Sequence, residues 1–193
     1  MVTVVLPEFR RIMLLIKSKD AELAAVLDTA NAMCAAARTA PKACRIDHLD
    51  CAILTGADKD SLAGEMRKIG SSLTEDGKFF TRDADNVDSA QAVVLIGAKY
   101  LPRGLGAMCQ LCGFADCADS AKAGAACVFT AMDLGIALGS AVSLAADARI
   151  DNRIMFTVGK AAAALGLLGE YKMVIGIPLS VSAKTPFFDR EPI

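Results

Sequence analysis

The chain has 193 residues, a formal charge of −1, 54% hydrophobic residues, two Tyr and no Trp. That length holds one domain with a sizeable core and is cramped for two. The near-neutral charge, with no basic stripe, gives no electrostatic case for nucleic acid or an anionic membrane as partner. An alanine-rich, aromatic-poor composition predicts closely packed helices around a sheet and argues against disorder.

The N-terminal stretch MVTVVLPEFRRIMLLIKSKD has Glu8 ahead of its basic pair and no A-x-A cleavage site, so it is a poor signal peptide. Met13 sits just before a fresh start, and residues 1–12 read as a loosely ordered extension. Asp20 to Arg38 then predicts an amphipathic helix, with Leu23, Val26, Leu27, Ala30, Met33, Cys34 and Ala37 on its inner stripe. Cys34 on that stripe reads as a small core residue. Pro41 stops the helix. Leu49, Cys51 and Ile53 alternate as in a strand ending at Gly56, and Asp58 opens a helix through Ile69 with Leu62, Met66 and Ile69 inward. Residues 90–99, AQAVVLIGAK, form an apolar run of strand length, as expected of a strand covered on both faces.

Thr130 and Asp133 match a T-x-x-D capping box for a helix through about Ala148. On that helix Gly135, Gly139 and Ser143 leave one face open to close approach by another backbone. Its uncharged apolar run, Leu134 to Ala146, is too short to span a bilayer, so no membrane segment is predicted. Asp151-Asn152 marks a turn. Ile154, Val158, Ala162 and Leu165 predict a helix closed by Gly166 or Gly169, and YKMVIGIP a last strand stopped by Pro178. Alternating helices and strands, with no repeat or linker, indicate a layered α/β or α+β domain spanning 1–193.

The chemistry is concentrated in one segment. Cys109, Cys112, Cys117 and Cys127 follow the spacing C-x2-C-x4-C-x9-C, four of the chain's seven cysteines within nineteen residues. An odd total in a chain without secretory features points to reduced cytoplasmic thiols rather than a disulfide framework. A structural zinc site usually shows two C-x2-C pairs or a pair with histidines, whereas the lone His48 lies far away in a strand. Iron–sulfur clusters take three thiolates from one tight loop and a fourth from further along. An iron–sulfur cluster, [4Fe-4S] foremost, therefore suits the spacing best, with zinc and ordinary buried cysteines as alternatives. Gly113 lets the backbone turn so that amides face the sulfurs.

CQLCGFADC resembles the C-x2-C-G-x3-C core of a [4Fe-4S] module of anaerobic electron-transfer proteins, though the fourth cysteine follows sooner here. LCGFADC, DLGIALGSAVSLAAD, DNRIMFTVGKAA and IGIPLS with PFFDR together resemble a family of uncharacterised prokaryotic proteins described as containing a ferredoxin domain, over about Ser18 to Arg190. AAARTAPKA, AVVLIGA, DLGIALGSAVSLAADA and VIGIPLS are similar to the FMN-dependent nitroreductases. That likeness implies an α+β sandwich with an antiparallel-rich sheet, an intertwined homodimer with FMN at its interface, and residues 105–130 as a Cys-rich insertion. It also implies phosphate-binding roles for Arg38, Lys42, Lys184 and Arg190, and more loosely for Arg10-Arg11, against the alternative of ordinary surface charge. The motif departs from the family at Lys42, where nitroreductases have Ser, and at Arg45, where they have the flavin-contacting Asn.

No G-x-G-x-x-G follows a strand, and one histidine leaves little room for a Ser-His or Cys-His dyad. The sequence thus predicts a cytoplasmic iron–sulfur redox protein, passing electrons to a flavin and thence to a partner protein or small-molecule acceptor. The alternatives are a flavin-free carrier or sensor, and a structural zinc loop.

Overall fold

The apolar run predicted as a doubly covered strand is the axis of the sheet. In the computed structural model, which describes residues 15–75 and 77–188, β2 (Ala92–Ala98) is buried at every position. β1 (Leu49–Leu54) pairs antiparallel on one side of it, Leu49 opposite Ala98 and Leu54 opposite Val93. β4 (Met173–Ser180) pairs antiparallel on the other, Met173 opposite Ala98 and Leu179 opposite Ala92. A two-residue β3 (Asp151–Asn152), at the predicted turn, pairs with Ser180 and Leu179 to give the order β1-β2-β4-β3.

Strand alternation sends the side chains of β2 to two cores. Val94, Ile96, Ala92 and Ala98 meet α1 (Ser18–Thr39) and α5 (Val128–Asp147) on one face. Val93 and Leu95 meet α2 (Gly56–Ser72), α3 (Gly77–Ser89) and α6 (Phe156–Ala164) on the other. Each fully buried Val, Leu or Ile contributes about 1.5–3 kcal/mol relative to exposure. The result is an α+β sandwich with an all-antiparallel sheet among the described residues.

Four local expectations change. Leu23 lies 41% exposed rather than on the inner stripe of α1, where Val26, Ala30, Met33 and Ala37 are buried and Leu27 and Cys34 half-buried. Pro178 does not stop the last strand. It lies opposite a gap on the β3 side, between the Met155–Gly176 bridge and the Asn152–Leu179 pair, where pairing is interrupted. α3 was not foreseen. Finally, α5 reaches back to Val128 and at 20 residues is long and apolar enough, by length and composition alone, to cross a membrane. Here Leu134, Ala137, Leu138, Ala141 and Ala145 pack against the core shared with α1. Gly159 sets the α6–β4 distance, because a Cβ there would lie 1.7 Å from the Val174 carbonyl oxygen.

Candidate functional site

Between β2 and α5 the chain runs through an irregular segment holding only a 3-10 turn (Gly106–Met108) and α4 (Cys117–Lys122). Its backbone turns sharply. Cys109 is right-handed helical (φ −96°, ψ −60°) and Gln110 has φ 50°, the succession that aims adjacent amide N–H groups into one concavity suited to anions. Gly113, at φ 81°, closes the turn with its N–H on the Gln110 carbonyl at 3.0 Å. Asp116 caps α4 by accepting from the Asp119 N–H at 2.9 Å.

This path brings all four predicted cysteines around one small cavity, which Arg103, Gln110, Phe114 and Asp116 also line. All four thiols are half-buried and none is in a disulfide. Cys127 is the N-cap residue of α5. Among the described residues no three His, Cys, Asp or Glu side chains stand together as a preformed metal site. Four thiols are the donor set of a soft metal centre, a zinc ion or an iron–sulfur cluster. The cavity itself, about 10 Å³, has room for about one water, so the loop has to open outward to admit any cluster.

Behind the cavity lies a buried ionic network that sequence reasoning missed. Arg103, 5% exposed, donates from Nη1 to the Leu101 carbonyl at 2.6 Å and from Nη2 to Asp133 Oδ2 at 2.9 Å. Nη2 also lies 2.7 Å from His48 Nε2. His48 Nδ1 is 3.0 Å from the Ile46 carbonyl and 2.9 Å from the same Arg103 Nη2. Asp133 Oδ1 accepts from the Ala43 N–H at 3.0 Å. The expected capping box is therefore absent. Asp133 is spent on Arg103 and Ala43, and the Thr130 Oγ1 is buried without a partner among the described residues. His48, expected to be remote, is one residue removed from the cysteine cavity, through Arg103. The Arg103 Nε is likewise buried and unpartnered among the described residues, a donor in a side chain that lines the cavity. The one available signal was the buried charge itself: a carboxylate one turn inside an apolar helix.

The predicted phosphate-binding cations are placed elsewhere. Arg38 donates to Asp47 Oδ2 at 2.6 Å, to the Leu49 carbonyl at 2.7 Å and to Asp50 Oδ1 at 3.1 Å. Lys42 donates from Nζ to the Ala37, Arg38 and Ala40 carbonyls at 3.2, 2.6 and 2.8 Å, closing the C-terminal end of α1. Both lie at the Leu49 end of the sheet. The exposed Lys184 follows β4, beyond Ser180, at the opposite end. Arg190 and the pair Arg10-Arg11 lie outside the described residues. Among the described residues of one chain, Lys184 thus stands apart from Arg38 and Lys42.

Comparison with known proteins agrees with this anatomy. A family model described as "Uncharacterized protein containing a ferredoxin domain (DUF2148)" matches residues 123–190, which includes Cys127 and follows the other three cysteines of the loop. An uncharacterized protein of Archaeoglobus fulgidus is 40% identical over 187 residues, covering 93% of this chain and 99% of that one. The chain belongs to this ferredoxin-domain family. In three dimensions it is similar to nitroreductases. The enzyme NfnB of Mycobacterium smegmatis, solved with NADPH, matches at a TM-score of 0.56 and 12% identity over 81% of this chain and 78% of that one. An FMN-bound nitroreductase of Desulfitobacterium hafniense gives 0.54 at 15% identity over 82% and 79%. An FMN-bound nitroreductase of Bacteroides fragilis gives 0.53 at 14% over 93% and 85%. At these identities the likeness is one of fold, and this chain has the nitroreductase fold.

Proposed function

We propose that the protein is a cytoplasmic iron–sulfur electron carrier or sensor, whose cluster, [4Fe-4S] by its ligand spacing, is held by Cys109, Cys112, Cys117 and Cys127. The observation that carries this reading is the meeting of all four thiols around one cavity. A family description naming a ferredoxin domain supports the same redox chemistry. Bound there, the cluster would supply reversible one-electron transfer.

The chain's own groups have defined tasks. The tight turn at Gln110 and Gly113 brings Cys109 and Cys112 to the same cavity, and the N-terminus of α5 places Cys127 there. Arg103 lines the cavity with its Nε–H unpartnered among the described residues, while Asp133 and the Leu101 carbonyl hold the guanidinium in place. The exposed Met108 (80%) and Leu111 (63%) form an apolar rim over the loop, where a redox partner could approach the cluster closely.

A flavin-dependent oxidoreductase is the second reading, favoured by the fold. Against it, Arg38 and Lys42 are held by partners within the chain. Self-association belongs to the proposal as well. The outer face of α5 exposes Met132, Gly135, Ile136, Gly139 and Ser143, a surface suited to a second copy of the helix. Protein purified without oxygen decides between the readings by its absorption spectrum and a flavin assay of the heat-released supernatant. The carrier shows a broad brown band that bleaches on reduction, and no flavin. Stoichiometric flavin would replace the carrier with the oxidoreductase. A colourless, flavin-free protein would remove both. Sedimentation velocity reads the oligomer, with a dimer expected and a monomer at all concentrations contradicting it.

A further inference from the structure

Four thiolates at one cavity concentrate negative charge, and among the described residues a single cation lines that cavity. It is Arg103, 5% exposed. Asp116, the one carboxylate on the same wall, is taken up by its own helix, where it accepts from the Asp119 N–H at 2.9 Å.

Three separate contacts immobilise the guanidinium. Nη1 donates to the Leu101 carbonyl at 2.6 Å, and Nη2 donates to Asp133 Oδ2 at 2.9 Å and lies 2.7 Å from His48 Nε2. Asp133 stands on α5 and His48 immediately precedes β1, so the side chain is fixed from two parts of the fold besides its own. All of these contacts fall on the two Nη atoms. The Nε–H is buried and has no acceptor among the described residues. Nearly every buried donor in a native fold is paired, so one left over on a cavity wall points to an acceptor that enters with a ligand.

We propose that Arg103 donates its Nε–H to a sulfur of the bound cluster and thereby raises the cluster's reduction potential, an inference that rests on the iron–sulfur reading above. Reduction takes one electron from the redox partner and moves no proton and no bond. The electron adds negative charge beside a guanidinium that stays charged at every working pH. Its hydrogen bond and its attraction both strengthen in the reduced state, which is thereby favoured over the oxidised one. Asp133 opposes this. It does not line the cavity, but its carboxylate touches the same guanidinium and offsets part of the positive charge. Arg103 and Asp133 are thus positioning residues that push the potential in opposite directions.

The test is the midpoint potential of the full chain reconstituted without oxygen, titrated with redox dyes and followed by cluster absorbance. Iron and sulfide are assayed on the same samples. Arg103→Lys keeps a cation beside Asp133 but has no Nε–H, and should lower the midpoint at full iron content. A reduced form about tenfold less favoured corresponds to about 59 mV. Asp133→Asn removes the opposing charge and keeps an acceptor for the Ala43 N–H, and should raise the midpoint. Loosened packing, common to both variants, would not give opposite signs. Should either single variant fail to load, Arg103→Met with Asp133→Leu leaves neither charge of the pair buried alone; a lowered midpoint is expected there too, and an unchanged one overturns the proposal. Loaded single variants that leave the midpoint where it was, or move it in the same direction, overturn the proposal and leave the iron–sulfur reading standing. A wild-type chain that binds no iron and sulfide removes both.

Discussion

Replacing Asp133 by Ala in the metal-free protein strikes the network that supports the cysteine cavity. Asp133 is 2% exposed and accepts from Arg103 Nη2 at 2.9 Å and from the Ala43 N–H at 3.0 Å. Its loss leaves a guanidinium, 5% exposed, with no opposing charge in contact among the described residues. Removing one partner of a buried ion pair costs about 3–5 kcal/mol, because the remaining charge stays desolvated. The orphaned Ala43 N–H adds a penalty of its own, about 1–3 kcal/mol where water cannot reach it. The two overlap, and about 3–5 kcal/mol is the expected total. For a chain of 193 residues that corresponds to a fall in Tm of about 6–20 °C. Urea unfolding followed by far-UV circular dichroism reads it, with an unchanged slope showing that stability alone has altered. Asp133→Asn, which keeps an acceptor for Ala43, should lose less. Arg103→Met with Asp133→Leu, which removes both charges, should recover much of the loss. An Asp133→Ala variant within about 1 kcal/mol of wild type would refute the reasoning, as would a double variant less stable than Asp133→Ala.

Other perturbations read other parts of the molecule. Each of Cys109→Ala, Cys112→Ala, Cys117→Ala and Cys127→Ala should lose bound iron and visible colour on anaerobic reconstitution, and full retention by any one would show that residue is no ligand. Limited proteolysis should cut the 105–130 segment faster in metal-free than in loaded protein, because a bound cluster staples the loop; equal rates would count against a cluster there. Gly159→Ala places a Cβ 1.7 Å from the Val174 carbonyl oxygen, so α6 has to lift off β4; a loss of about 1–3 kcal/mol or more is expected from overpacking, and a neutral result would contradict the contact. At Asp47, burial pushes the carboxyl up, but the Arg38 hydrogen bond, the Leu49 N–H and nearby positive charge prevail and hold it below its ordinary 3.8. A depressed carboxyl stabilises the fold above its unfolded value and loses that contribution as pH falls through the folded one. Both partners are about half exposed, so Arg38→Met should remove no more than about 1 kcal/mol of ion-pair stability at pH 7, with the difference from wild type shrinking below about pH 4.

How much of this was legible depended on what each residue's role rests on. α1 announced itself because burial repeats with the helical period, as in Val26, Ala30, Met33 and Ala37, and β2 because it is a continuous apolar run, buried at every position. α3 did not: it is rich in charged and polar residues and takes its order from packing against α2 and from Phe80 and Val87 on its buried face. The capping box at Thr130 was a sound local pattern overruled by tertiary structure, since Arg103 and Ala43 hold Asp133 more effectively than a helix end does. The cysteine loop was readable because its thiols are close in sequence. The Arg103–His48 contact spans 55 residues and the Arg103–Asp133 pair 30, and local patterns carry no trace of such contacts. The cations at Arg38 and Lys42 show the converse: residue type suggested a ligand, while geometry gave them internal partners.

Iron and acid-labile sulfide content per chain, on protein isolated without oxygen, tests most directly whether the four cysteines hold a cluster. About four of each per chain is predicted for a [4Fe-4S] centre on Cys109, Cys112, Cys117 and Cys127. Sulfide-free protein, carrying zinc or no metal at all, would contradict it.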